Sequence, residues 1–311
     1  MKTRTYAFVA LALATTFISA SLAQTTNSTP SRGPANRGTR GGGPPRVGPV
    51  HPGFNPALPT VWLVGDSTVK NGRDTGSDGL WGWGNPIAAW FDKTQINVEN
   101  QALGGTSSRS FITSKLWDAV VTQVKPGDFV IMQFGHNDSG STNMVSARAS
   151  LKGSGEKTET TTNTVNGNVE VVHTYGWYLC KYIADTKAKG GIPIVCSLIP
   201  RNDWTGGKVQ RANTSFGLWA REAAQAKGAF FVDLNSIIAD RYDKLGQEAV
   251  KPFFPNEHTH TGWDGAVLNA ECVIEGIKKL KDCPLNRYLA ASPERPKLPA
   301  LPVTRPAPQP Q

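Results

Sequence analysis

Between residues 60 and 289 the chain alternates short apolar runs with segments that read as helices. The runs are Val61 to Gly65, Ile96 to Asn100, Phe129 to Phe134, Ile192 to Leu198 and Phe230 to Asp233. They are apolar almost throughout, rather than at every second position, as strands of a parallel sheet covered on both faces are. The helix-like segments lie around Pro86 to Phe91, Lys115 to Val124, Tyr175 to Lys189, Asn213 to Lys227 and Gly265 to Lys281. Strand and helix in strict alternation predict an α/β fold, a three-layer α/β/α sandwich around a central five-stranded parallel sheet. Ser139 to Glu170 interrupts the pattern. It is rich in Ser, Thr, Asn, Gly and Lys, a long polar insertion of the kind that in compact domains is functional or mobile. No internal repeat is visible.

The flanks have a different pattern. Lys2 and Arg4 precede an apolar stretch from Tyr6 to Ile18, and Ser21-Leu22-Ala23 supplies small residues for a peptidase. Residues 1–23 therefore read as a cleaved secretory signal, with the mature chain secreted or periplasmic and without a membrane span. Residues 24–59 are Pro, Gly, Thr, Asn and Arg with little to bury, a flexible linker, and residues 290–311 form a Pro-rich disordered tail. The expected domain is thus residues 60–289.

Charge follows the same division. Of the formal net charge of +9, Lys2, Arg4, Arg32, Arg37, Arg40, Arg46 and, against Glu294, Arg295, Lys297 and Arg305 supply all but +1. A basic balance confined to the flanks is no sign of a nucleic-acid groove, and no nucleic-acid partner is expected. The cysteines, Cys180, Cys196, Cys272 and Cys283, lack metal-site spacing. In an exported chain Cys272 and Cys283, near the end of a predicted helix and just beyond it, are the pair best placed for a disulfide.

Ligands of open parallel sheets sit beyond the carboxyl ends of the strands, so the residues that follow each run matter most. Asp66-Ser67-Thr68 follows the first, and Asn100 to Ser107, with Gly104-Gly105, the second. Gly135-His136-Asn137-Asp138 follows the third, and Glu257-His258-Thr259-His260 precedes the last helix. A serine hydroxyl is a weak nucleophile until a base takes its proton, and that base needs an orienting group. Ser67, His260 and Glu257 offer these types in one prospective cleft.

In this order the four blocks resemble those of the SGNH (GDSL) hydrolase superfamily, whose fold is flavodoxin-like. The closest likeness is to the rhamnogalacturonan acetylesterases, carbohydrate esterase family 12. It rests further on Asn100, Ala102 and Gly105 with Ser107 and Arg109, on Phe134 to Asp138, and on His258 to Thr261. The resemblance spans about residues 60–281. It implies Ser67 as nucleophile, His260 as general base and Glu257 as orienting acid. It also implies an oxyanion hole from the Ser67 and Gly105 amides and the Asn137 side chain, with no metal or cofactor. The family usually has Asp where this chain has Glu257, and Asp264 is a rival acid.

Each residue also has a structural reading: Ser67 as a helix cap, Gly104-Gly105 as a turn, Asn137 as a loop amide. For the substrate, Trp83, Trp204, His136 and His258 are candidate cleft-lining groups, and Arg109 or Arg201 a partner for a galacturonate carboxylate. For either arginine, an internal salt bridge is the competing reading. The expected function is that of a monomeric secreted esterase that deacetylates pectic polysaccharide. The alternatives are an esterase for another acylated sugar, lipid or aryl ester, and a non-catalytic carbohydrate-binding protein on the same fold.

Overall fold

A computed structural model describes residues 53–300 except 72–75, 77, 145–146 and 165. The expected signal and most of the linker lie outside the described residues. Five parallel strands form the central sheet: β1 (Thr60–Gly65), β2 (Asn97–Asn100), β3 (Phe129–Gln133), β6 (Ile192–Cys196) and β9 (Phe230–Val232). Their order across the sheet is β2-β1-β3-β6-β9. The register pairs Val61 with Val98 on one side and Phe129 on the other. The five-stranded parallel sheet with helices on both faces is the architecture that the alternation predicts.

The continuous apolar runs have a direct cause. Val61, Leu63, Phe129, Ile131, Ile194 and Cys196 face one core; Trp62, Val64, Val130, Met132 and Val195 face the other. Side chains alternate across a strand, so a sheet covered on both sides needs an apolar residue at every position. The first core is closed by α5 (Leu234–Leu245) and α7 (Trp263–Lys278). The second is closed by α2 (Leu116–Val121), α3 (Tyr175–Ala188) and α4 (Phe216–Lys227).

The structure departs from the sequence reading in several places. The segment at Pro86 to Phe91 is only a short 3₁₀ turn, Ile87–Trp90. Besides the single turn α6 (Gln247–Val250), two longer helices among the described residues were not anticipated. One is α1 (Ser108–Thr113), which opens on a reciprocal Ser107–Ser110 cap. The other is α5, whose Asp233 cap accepts from the Ser236 amide and whose buried Leu234, Ile238, Ala239 and Tyr242 keep helical spacing. The polar insertion carries an antiparallel hairpin, β4 (Thr158–Thr162) with β5 (Val169–His173). Its outward side chains are threonines and two exposed valines, Val169 and Val171, so composition hides the strands. Cys272 and Cys283 are buried free thiols rather than a disulfide, and burial pushes the Cys272 thiol up to about 12. At the other end of the domain, Ala290 donates to the Trp90 carbonyl at 2.9 Å and Trp263 Nε1 to that of Pro296 at 3.2 Å. Among the described residues, no helix is long and apolar enough to cross a membrane.

Candidate active site

Ser67 is delivered by the end of β1. A β-carbon at Gly65 would lie 2.4 Å from the Gln133 carbonyl oxygen and 2.5 Å from Val69 Cγ2, so only glycine admits this turn. Asp66, fully buried, folds over it. Its carboxylate accepts from the Thr68 amide at 2.9 Å and the Thr68 hydroxyl at 2.7 Å, and from the His136 amide at 3.4 Å. Below, Gln133 donates to Thr68 Oγ1 at 2.9 Å and accepts from Trp83 Nε1 at 2.8 Å. Buried polar groups that are mutually satisfied hold one geometry, and here they leave the Ser67 hydroxyl as the member that faces outward.

His260 reaches it from the far end of the chain. Trp81 and Thr261 form an antiparallel bridge, in which the Trp81 amide donates to the Thr261 carbonyl at 2.8 Å and Thr261 Oγ1 to the Trp81 carbonyl at 2.9 Å. The loop before α7 is thereby fastened to the segment that follows Ser67. His260 Nε2 lies 2.7 Å from Ser67 Oγ, and His260 Nδ1 lies 2.7 Å from Glu257 Oε1. Glu257 folds back on its own loop, with Oε1 accepting the His260 amide at 2.6 Å and Oε2 the Thr259 amide at 2.8 Å. Partial burial opposes ionisation of this carboxyl, but the two amides and the imidazole outweigh it and hold its pKa below the ordinary carboxylate range. Asp264, the rival acid, is exposed on α7 and faces Arg295 at 3.8 Å.

The second loop is fastened to the serine turn, where the Leu103 amide donates to the Gly65 carbonyl at 3.1 Å, and the third loop to the second. Gly105 has φ +86°, a left-handed conformation in which a side chain is strained. Asn137 Nδ2 donates to the Thr106 carbonyl at 2.8 Å, and Thr106 Oγ1 to that of Gly65 at 3.2 Å. One amide hydrogen of Asn137 is thus used for orientation and the other is left over. Among the described residues, the backbone amides of Ser67 and Gly105 donate to no acceptor. Two unbonded amides and a fixed carboxamide beside a hydrogen-bonded serine are the donor set that an oxyanion requires.

Several anticipated substrate-binding residues stand elsewhere. Trp83 is fully buried under the serine turn, where Gln133 needs its indole N–H. Arg109, 1 % exposed, forks onto Glu170 at 2.8 and 2.6 Å and also donates to the Thr142 and Ala149 carbonyls. It ties the polar insertion to α1 instead of lining a cleft. His136 is buried too, both ring nitrogens lack a partner among the described residues, and desolvation drives its pKa down to about 4; its ring is a neutral filler behind the site. Trp204 is half-buried in a short antiparallel pair, β7 (Trp204–Thr205) with β8 (Lys208–Val209), its indole N–H on Asn202 Oδ1 at 2.7 Å. His258 Nδ1 pairs with Asp203 Oδ1 at 2.7 Å. Arg201 is half-buried, has no ion pair among the described residues, and its charge reaches His136.

Sequence reasoning passed over other residues. Asp138 is fully buried, bonded by Ser108 and Ser150, and burial raises its carboxyl to about 7. Arg148 donates from Nη1 to the Gly105 carbonyl at 3.3 Å. Asp138 sits in the third block and was within reach of pattern reading; Arg148 lies in the featureless insertion and carried no signal. Among the described residues, no group of three or more His, Cys, Asp or Glu side chains could hold a metal ion.

Comparison with known proteins identifies relatives of this chain. The model of the GDSL-like Lipase/Acylhydrolase family matches residues 63–261, from within β1 to the residue after His260. A protein of Emericella nidulans named rhamnogalacturonan acetylesterase is 32% identical over 218 residues, 70% of this chain and 84% of its own. A Bacillus subtilis protein named "Probable rhamnogalacturonan acetylesterase YesY" is 28% identical over 225 residues, 71% of this chain and 93% of its own. Among solved structures, the crystal structure of the Bacillus subtilis protein YxiM superposes with a TM-score of 0.58 at 22% identity, over 72% of this chain and 57% of that one. At that identity the last likeness concerns the fold. The match from the serine strand through the histidine loop, with relatives covered over most of their length, places this chain in the GDSL-like lipase/acylhydrolase family, and it is a carboxylic ester hydrolase.

Proposed function

We propose that this chain is an exported carbohydrate acetylesterase that removes acetyl groups from pectic polysaccharide, with rhamnogalacturonan as the first substrate to examine. The observation that carries the proposal is the unbroken chain from Ser67 Oγ through His260 to Glu257, at 2.7 Å for each link, together with Ser67 and Gly105 amides that have no acceptor among the described residues. In the first step Ser67 Oγ bonds to the acetyl carbonyl carbon as His260 Nε2 takes its proton. The Ser67 and Gly105 amides and Asn137 Nδ2 bind the oxyanion. The carbon–oxygen bond to the sugar then breaks, His260 returns the proton to the departing sugar oxygen, and acetyl-Ser67 remains. Water, deprotonated by the same histidine, then attacks the acetyl carbonyl carbon; the bond to Ser67 Oγ breaks, His260 returns the proton to Ser67 Oγ, and acetate leaves. Glu257 fixes the tautomer with hydrogen on Nδ1 and stabilises the imidazolium.

The names of the two relatives favour rhamnogalacturonan over other acetylated polymers. Arg201, a guanidinium without an ion pair among the described residues beyond the end of β6, suits a substrate that carries carboxylates. The test is acetate release from acetylated rhamnogalacturonan, homogalacturonan and xylan, with Ser67→Ala as the blank. Release from rhamnogalacturonan at a kcat/KM at least ten-fold above xylan, abolished in Ser67→Ala, is the expected result. Equal rates on all three polymers would remove the pectic assignment, and activity in Ser67→Ala would remove the mechanism. Residues 1–23 act as the export signal in this proposal, which amino-terminal sequencing of the exported chain checks.

A further inference from the structure

We propose that Arg148 is a specificity-determining residue that binds a uronate carboxylate of the substrate at the rim of the oxyanion loop. The proposal rests on the pectic reading above and deepens it. The two arginines near α1 are used in opposite ways. Arg109 has a carboxylate partner and two carbonyls and is buried. Among the described residues the Arg148 guanidinium has no ion pair, and its one hydrogen bond, from Nη1 to the Gly105 carbonyl, is long at 3.3 Å. A guanidinium carries five N–H donors in a planar fork that matches a carboxylate, so most of this one is uncommitted. It stands against the residue whose amide is free to meet the oxyanion.

The backbone that presents Arg148 is firmly held. Its carbonyl accepts the Ser107 hydroxyl of the α1 cap. The next carbonyl, of Ala149, accepts Arg109 Nη1 at 2.8 Å, and the Ser150 amide donates to the Asp138 carbonyl at 2.9 Å. Ala147, the residue before it, has φ +42°, a conformation that disfavours a residue with a β-carbon and is kept only where its surroundings impose it. These fixtures pin the main chain and leave a partly exposed cation beside the place where the acetyl carbonyl would sit. A neutral acetylated sugar offers such a group nothing; an acetylated chain with uronate residues offers a carboxylate near the ester. Arg201 lies past the end of a different strand, so the two cations would meet different carboxylates of one chain.

The test compares acetylated galacturonate-containing oligosaccharides with the same material after its carboxyl groups are reduced to primary alcohols. The quantity read is the ratio of kcat/KM on the acidic to that on the reduced substrate, in wild type, Arg148→Gln and Arg148→Lys. The ratio divides out any general damage to the oxyanion loop. A fall of ten-fold or more in Arg148→Gln, and a smaller fall in Arg148→Lys, which keeps the charge but loses the fork, is expected. A ratio within two-fold of wild type in both variants overturns the proposal, however far the absolute rates drop, because a mere brace on Gly105 would weaken both substrates alike. Should Arg148→Gln not fold, the lysine variant decides by the same criterion. A wild-type ratio near one would overturn the pectic reading itself, an outcome distinct from a high ratio that the variants leave unchanged.

Discussion

Replacing Glu257 by glutamine isolates the least usual member of the hydrogen-bond chain. In the native loop both carboxylate oxygens accept: Oε2 from the Thr259 amide, Oε1 from the His260 amide and from His260 Nδ1. A carboxamide has one acceptor and one donor end. If its oxygen replaces Oε1, the NH₂ group faces the Thr259 N–H and the loop is pushed apart. If its oxygen replaces Oε2, the NH₂ group donates to Nδ1, the ring proton moves to Nε2, and the base toward Ser67 is gone. In the first arrangement the imidazolium loses a charge-assisted bond, about 1.5–3 kcal/mol. In the second, the wrong tautomer costs on the order of 10⁴ in rate in serine triads. Glu257→Gln is therefore expected to lower kcat by roughly one to four decades, each decade being about 1.4 kcal/mol, with KM little changed. Steady-state hydrolysis of p-nitrophenyl acetate, with Ser67→Ala as background, measures it. A kcat within three-fold of wild type would refute the reasoning and require another acid behind His260.

Two further outcomes follow from the same geometry. Asn137→Ala should lower kcat by roughly 10²-fold, the usual cost of about 3 kcal/mol for one oxyanion donor, while KM on the same ester stays near its wild-type value; an unchanged kcat would mean that Asn137 only anchors the Thr106 carbonyl. Stability against pH should reveal two buried groups that oppose each other. His136, lowered from 6.5 to about 4, contributes stability that is present above 6.5 and lost as the pH falls toward 4. Asp138, raised from 3.8 to about 7, contributes stability that is present below 3.8 and lost as the pH rises toward 7. Each slope approaches about 1.4 kcal/mol per pH unit, and between pH 4 and 6.5 they cancel. In urea titrations Asp138→Asn should make stability rise with pH across that window relative to wild type, and His136→Leu should make it fall. Parallel curves for all three proteins would show that neither group is perturbed.

Much of the fold is legible because strands covered on both faces leave nothing polar in their runs. Val61 to Gly65 and Phe129 to Gln133 show this, since neighbouring residues enter opposite cores. The hairpin at Thr158–Thr162 and Val169–His173 has one face anchored by Glu170 and Val172 and the other in solvent, and its threonines read as loop. Ser67, Gly105 and Asn137 were accessible as candidates because short glycine-bearing turns at strand ends constrain residue type and order, and Glu257 and His260 because an acid and a histidine three residues apart precede the last helix. Which arginine is left free for a substrate was not. Arg109 and Arg148 are the same residue type in the same neighbourhood, and the difference between them is a carboxylate at Glu170, 61 positions along the chain from Arg109.

By itself the sequence determined the layer architecture, the blocks that carry the chemistry and their order along the chain, because these depend on local periodicity and on turns that admit few residue types. Only the tertiary structure decided which polar groups are consumed and which remain free. It set Trp83 under the serine turn, buried Arg109 on Glu170 and, among the described residues, left the His136 ring without a partner and Arg148 without an ion pair beside Gly105. Whether a charged or aromatic side chain holds the fold or meets a substrate depends on the partners that folding brings within about 3 Å, and those partners come from strands and loops far away in the sequence.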